Sequence, residues 1–207
     1  QVLVRDGERS VDVVSCNEAT LRRLRQHHVA MVFQQFGLLP WRTVEDNLRF
    51  VLPERPDPAP RIAAALAEVG LENHAGVFAS RLSLGMARRA ALARAFVIEP
   101  GLLLLDEPFV SLDEPTAQRL RLLLLDLLER HGATALFVTH SLHEAIMLAD
   151  RLLFLSAAPG RPLGLRDVLL GRAERRRPQL VDDFRQRLLE ENPELAEVLV
   201  PASEPVA

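Results

Sequence analysis

The chain has 207 residues, 48% of them apolar, and a formal net charge of −3. That size and apolar content suffice to bury the core of one domain, or of a domain with a tail, while the slightly acidic balance gives no electrostatic footprint for nucleic acid. A single cysteine, Cys16, excludes an internal disulfide and fits a reducing compartment.

In chain order, Val2–Arg5 and Ser10–Val13 flank the turn signal Asp6-Gly7 and read as a hairpin. Glu18–His28 reads as a helix, with Leu21 and Leu24 three apart. The short apolar run Val29–Phe33 is a buried strand, followed by a loop over Gln34–Arg42 that holds Gly37 and Pro40. Thr43 is a helix N-cap with Asp46 three residues on, and the helix runs to Phe50. Four prolines make Pro53–Pro60 a non-helical connector. Helices follow at Arg61–Val69, closed by Gly70, and at the alanine-rich Gly85–Ile98, stopped by Pro100. Leu102–Leu105 is a buried strand, Thr116–Arg130 a long helix and Ala133–Thr139 another buried strand. Ser141 and Glu144 form a capping box for a helix to Leu148, and Arg151–Leu155 is a last strand.

Strands that are apolar on both faces and alternate with helices indicate a parallel α/β sheet. The helical stretch at about 44–100 is then an insert in a domain spanning 1–155. After Leu155 the pattern dissolves. The arginine run Arg175–Arg177 and an acidic helix over Gln179–Asn192 read as a solvated C-terminal tail, 156–207. No uncharged apolar run approaches the ~18–20 residues of a membrane span, and the opening QVLVRDGE is too polar for a signal peptide.

The leucine strand delivers two adjacent acids, Asp106 and Glu107, to the carboxyl edge of the sheet, where α/β proteins place ligands. Neighbouring strand residues point opposite ways, so the two acids have different jobs. Two uncompensated carboxylates repel each other, and a metal or metal-bound water is a natural counter-charge. From these residues alone, capping of the following turn is an equal alternative. Ser111-Leu112-Asp113 follows, and a second strand, ALFVTH, ends in His140 at the same kind of edge. Upstream, Ser83 opens the alanine-rich helix at LSLGM; an N-capped helix start attracts anions. Gln34 sits where a buried strand enters a loop, and its amide oxygen can ligate a metal or water.

VFQQFGLLPW, LSLGM followed by ARRAALARA, LLLLDEP, SLD and VTH stand in the order and rough spacing of an ABC-transporter nucleotide-binding subunit, which this sequence resembles across Met31–His140. LLPW, the methionine closing the signature and Pro159-Gly160-Arg161 resemble the importer branch that handles nitrate, sulfonate and taurine. The resemblance implies a P-loop NTPase-like parallel sheet with a helical subdomain insert. It implies ATP and Mg²⁺ as cofactors. Gln34 and Asp106 are the implied metal contacts. Glu107 is implied as general base and His140 as the switch histidine. Ser83, Gly85 and Met86 belong to the signature that meets ATP held by the opposite subunit, and Asp113 is the acid at the dimer interface. Implied partners are a second ATP-binding subunit, a transmembrane permease and a periplasmic or lipid-anchored solute-binding protein. The implied location is peripheral, on the cytoplasmic face of the inner or plasma membrane.

Two departures qualify this expectation. All 25 basic residues are arginines, so the phosphate-cradling G-x-x-x-x-G-K-[ST] loop of the family is not found in these residues. With a first residue of Gln, the chain reads as N-terminally truncated, and weak or no nucleotide binding to its own face is expected. The alternative is thus a truncated or degenerate subunit without its own ATPase activity. Leu84 stands where the family usually has glycine; it is harmless if it is the first helical residue and costs about 1 kcal/mol or more if it needs positive φ. A DNA-associated ATPase head of the same fold is disfavoured, because those carry a long coiled-coil insert and only 48 residues separate Gln34 from Ser83 here.

Overall fold

The computed structural model describes residues 3–6, 9–52, 57–193 and 195. The chain divides into two compact units, 1–138 and 139–207.

The first unit opens with β1 (Leu3–Asp6) and β2 (Arg9–Asp12), an antiparallel pair in the register Leu3↔Asp12 to Asp6↔Arg9. The hairpin expected there is present as a ladder; Val2 and the turn residue Gly7 lie outside the described residues. Helix α1 (Glu18–His27) begins at Asn17, whose side chain accepts from the Thr20 N–H at 2.9 Å. It leads into β3 (Val29–Val32). β4 (Leu102–Asp106) and β5 (Thr134–Val138) complete a parallel sheet in the order β3-β4-β5. Its rows run Ala30–Leu103–Ala135, Met31–Leu104–Leu136 and Val32–Leu105–Phe137.

Between β3 and β4 the chain is helical: α2 (Val44–Val51), α3 (Ala59–Glu68) and α4 (Leu84–Phe96), with 3₁₀ turns at Glu72–His74 and Ala79–Arg81. Of the connector expected at Pro53–Pro60, residues 53–56 lie outside the described residues. Ala59 and Pro60 belong to the first turn of α3. Proline is tolerated there because the first helical N–H groups have no intrahelical acceptor. The alanines of α4 let it sit buried nearly all round, with Ala87, Ala90, Ala91, Ala93, Ala95 and Phe96 inside. Helix α5 (Glu114–His131) connects β4 to β5 and ends at Gly132, whose φ of +61° closes the helix in the left-handed conformation.

The sheet is less covered than its composition predicts. Ala30, Val32, Leu103 and Leu105 are buried, whereas Met31, Phe33, Leu136 and Val138 on the alternate face are 39–61% exposed. β5 is therefore not the doubly buried strand expected from its apolar run, because among the described residues nothing covers the face that carries Leu136 and Val138.

The second unit contains α6 (Leu142–Leu148), β6 (Arg151–Leu155), β7 (Pro162–Asp167), α7 (Arg172–Arg175) and α8 (Pro178–Glu191). β6 does not join the parallel sheet as expected. It pairs antiparallel with β7, from Arg151↔Asp167 to Leu155↔Pro162. The described residues beyond Leu155 are thus folded: Ile146, Leu152, Phe154, Val168, Leu170, Val181, Leu188 and Leu195 form one core. Arg175, expected in a solvated run, is buried; it donates to the Leu170 carbonyl at 2.9 Å and pairs with Asp150 at 2.9 Å. No helix among the described residues is long and apolar enough to cross a membrane.

Candidate functional site

β4 ends at Asp106, paired in register with Val138 of β5. Glu107 leaves the strand at once. Its N–H donates to the Val138 carbonyl at 3.0 Å, and its φ is +43°, in the left-handed region that a non-glycine residue rarely adopts. The strand alternation used to separate the roles of the two acids stops at Asp106, and it is this backbone turn that sets the direction of Glu107. The turn continues through Pro108 and Phe109, with the Val110 N–H donating back to the Glu107 carbonyl at 3.3 Å. Phe109 is buried and its ring centroid lies 6.0 Å from that of Phe137. Both acids are half-buried.

Gln34 lies two residues past β3, the strand next to β4, so the fold brings Gln34, Asp106 and Glu107 to one carboxyl edge. Gln34 itself is exposed. Its loop is held from α4: Arg94 donates to the carbonyls of Gly37 at 2.6 Å and Phe36 at 2.8 Å. Burial pulls the Arg94 guanidinium below its ordinary range.

Ser83, Gly85, Met86 and Asp113 come together in a second place. Ser83 caps α4, its hydroxyl oxygen accepting from the Met86 N–H at 3.3 Å. Asp113 caps α5 and accepts from the Thr116 N–H at 3.1 Å. Hydrogen bonding from the Thr116 side chain, and then from its N–H, lowers the Asp113 carboxyl below the usual range. The two helix starts line an open cleft of about 500 Å³ that also includes Leu84, Thr116 and Arg119. The helices approach closely at Gly85, where a Cβ would lie 3.1 Å from the Thr116 methyl. Leu84 is the first residue of α4 and is not among the described residues with positive φ, so its replacement of glycine carries no backbone strain. The cleft presents two capped helix starts, a setting that favours an anion.

His140 follows β5 by two residues and belongs to the second unit, where its side chain is exposed. Thr139 beside it donates to the Glu144 carboxylate at 2.9 Å and accepts from the Ser141 N–H at 3.0 Å, fixing the entry to α6.

Sequence reasoning passed over Arg88 and Arg94. Helix α4 contains three arginines and no acid, so its guanidinium groups must find partners elsewhere in the fold; that imbalance was the available signal. Arg89 reaches the carbonyls of Val69 and Gly70 at 3.2 and 3.3 Å, and Arg88 reaches the Glu107 turn.

The edge with its paired acids and the start of α4 lie within a family match. The model described as "ABC transporter" fits residues 4–110. The chain belongs to the ABC transporter family. Among curated ABC proteins, "Aliphatic sulfonates import ATP-binding protein SsuB 2" of Burkholderia lata is 45% identical over 77% of this chain and 59% of its own length. The protein of the same name from Streptomyces avermitilis is 48% identical over 78% of this chain and 63% of its own length. The chain thus spans about three fifths of these relatives. A solved ABC cassette, the dimeric post-hydrolysis state of MJ0796 bound to ADP and Pi, superposes with a TM-score of 0.64 at 28% identity, covering 76% of this chain and 70% of that one. The P-loop NTPase-like α/β fold expected from sequence is the fold of these ABC cassettes.

Proposed function

We propose that this chain serves an ABC importer as its ATP-binding and ATP-hydrolysing subunit, at the cytoplasmic face of the membrane, for a small solute of the nitrate, sulfonate or taurine kind. The observation that carries the reading is the meeting of Gln34, Asp106 and Glu107 at one carboxyl edge. The boundary expected at residue 155 would cut the β6–β7 pair, so the helical insert at about 44–100 is placed in the first compact unit, 1–138, and residues 139–207 are taken as a second unit of the subunit.

The oxygen donors at the edge suit Mg²⁺, which binds through one or two carboxylates while keeping water and substrate phosphate in its remaining positions. Asp106 and Gln34 would hold the ion, whose charge offsets that of the phosphates. Glu107 would orient the attacking water and accept its proton, and His140 would complete the hydrolytic set. Phosphoryl transfer depends mostly on such positioning and charge stabilisation, and a general base adds ~10²–10⁴-fold.

Ser83, Gly85 and Met86 would face the γ-phosphate of ATP held by a second subunit, with Asp113 at the same interface; the two helix starts and their cleft support this. A permease would dock near the Gln34 loop and the insert. Trp41 and Phe50 are 69% and 61% exposed there, and Phe78 bridges to Thr43 beside them. A periplasmic or lipid-anchored solute-binding protein would deliver the solute.

The test is ATP turnover by the assembled transporter with Glu107→Gln. Turnover is expected to fall by at least ~10²-fold with ATP binding retained. Unchanged hydrolysis sinks the assignment. No turnover in the unaltered assembly leaves the alternative, a degenerate subunit without its own ATPase activity.

A further inference from the structure

Arg88 lies in α4, five residues past Ser83, and is only 3% exposed. Its Nη2 donates to the Val110 carbonyl at 2.7 Å and its Nη1 lies 3.5 Å from the Glu107 carbonyl. The guanidinium carbon sits 4.4 Å from the centroid of the Phe36 ring, in the loop that carries Gln34. One buried cation therefore touches the turn at Glu107 and the loop at Gln34, while its own helix begins at the cleft of Ser83, Gly85 and Met86.

The turn needs holding. Glu107 and Ser111 have φ of +43° and +64°, and each left-handed non-glycine residue costs roughly 1–2 kcal/mol. Such backbone persists only where surrounding bonds over-determine it. On one side the turn hangs from β5 through the Glu107 N–H and the Val138 carbonyl. On the other, Arg88 donates to the Val110 carbonyl at 2.7 Å, with a marginal contact to the Glu107 carbonyl at 3.5 Å. A buried guanidinium is costly to desolvate, so a chain that needed only packing here would do as well with an apolar side chain.

We infer that Arg88 is a positioning residue for hydrolysis, fixing the direction of the Glu107 carboxylate by gripping its turn against the Phe36 ring. It acts through main-chain carbonyls and an aromatic face. This rests on the role proposed for Glu107. A base displaced by about 1 Å costs on the order of 10²-fold in rate, and a loss confined to the transition state lowers kcat without raising KM.

The experiment is steady-state ATP hydrolysis by the assembled transporter carrying Arg88→Met, Arg88→Lys or Phe36→Leu. Arg88→Met is expected to lower kcat about 10- to 100-fold with KM for ATP within about threefold of the unaltered assembly. Arg88→Lys recovers part of the rate, since it keeps a donor over the ring, and Phe36→Leu lowers kcat by a smaller factor. If Arg88→Met does not assemble, the other two variants are read by the same split. A kcat within about twofold of the unaltered rate in every variant that assembles overturns the inference. So does a loss that falls equally on KM, or one that lysine does not relieve. Normal turnover with these variants beside a dead Glu107→Gln refutes only the inference, whereas full turnover in Glu107→Gln refutes the reading beneath it.

Discussion

Asn47 is completely buried and makes a short-range network from α2 into the loop that precedes it. Its side-chain oxygen accepts from the Leu39 N–H at 2.7 Å, and its amide donates to the carbonyls of Thr43 at 2.9 Å and Leu39 at 3.1 Å. A fourth contact, to the Arg42 carbonyl at 3.5 Å, is marginal. An intramolecular hydrogen bond contributes about 1 kcal/mol net, and a buried group left without its partner costs more than the bond contributed. Replacing Asn47 with alanine removes three good bonds and strands the Leu39 N–H, while the Leu39 carbonyl keeps the Arg42 N–H at 3.1 Å. The expected cost is about 3 kcal/mol, or roughly two orders of magnitude in an opening equilibrium. Because every partner lies in 39–43, the loss concentrates in local opening of that loop. The assay is native-state hydrogen exchange at the Leu39 amide, alongside urea unfolding. Protection at Leu39 is expected to fall about 10²-fold, while amides in β4 change much less. Protection at Leu39 within about threefold of the unaltered chain would refute the reasoning, since it would mean the network does not hold the loop.

The remaining predictions concern the cleft and the pH dependence of stability. Gly85→Val places a branched side chain where even a Cβ meets the Thr116 methyl at 3.1 Å; a thermal melt is expected to show a loss of about 1–3 kcal/mol from overpacking, relieved in part by Thr116→Ser. Glu68 is subject to burial, which raises its carboxyl, but the hydrogen bond from His131 at 2.9 Å and the Arg130 contact at 3.2 Å prevail and lower it. Its folded value is therefore below that of the unfolded chain. The stability it adds is present above the ordinary carboxylate range near ~4.3 and is lost as pH falls through the lower folded value. Denaturant unfolding between about pH 6 and pH 3 should accordingly show a shallower acid loss in Glu68→Gln than in the unaltered chain, and parallel curves would count against the ion pair.

Much of the central sheet was legible because an apolar run such as LLLLD admits few alternatives, and the helix starts at Thr43, Ser83 and Ser141 were legible because a capping side chain sits in the sequence beside the N–H it accepts from. The misreadings have two causes. Apolarity tells that a face needs cover and not whether a neighbouring element provides it, so Leu136 and Val138 looked as buried as Leu103 and Leu105. PLGLRD carries a proline and a glycine, which weaken any strand signal, yet as β7 it pairs with β6 along Arg151–Leu155.

The site divides the same way. Asp106 and Glu107 announce themselves by adjacency at a strand end, and Ser83 and Asp113 by their place before helices. Arg88 leaves no such trace, because its acceptors are main-chain carbonyls 19 and 22 residues away, and any residue type supplies a carbonyl. What the sequence does hold is the unbalanced charge of α4. A helix buried nearly all round and carrying three arginines with no acid of its own must pass its cations to other segments, since a buried cation without partners is prohibitive. In this fold the three recipients are the loop of Gln34, the end of α3 and the turn of Glu107. Helix α4 thus carries Ser83 and Gly85 at its start and, further along, the arginines that reach the Gln34 loop and the Glu107 turn, so those contacts are open to substitution without touching the acids themselves.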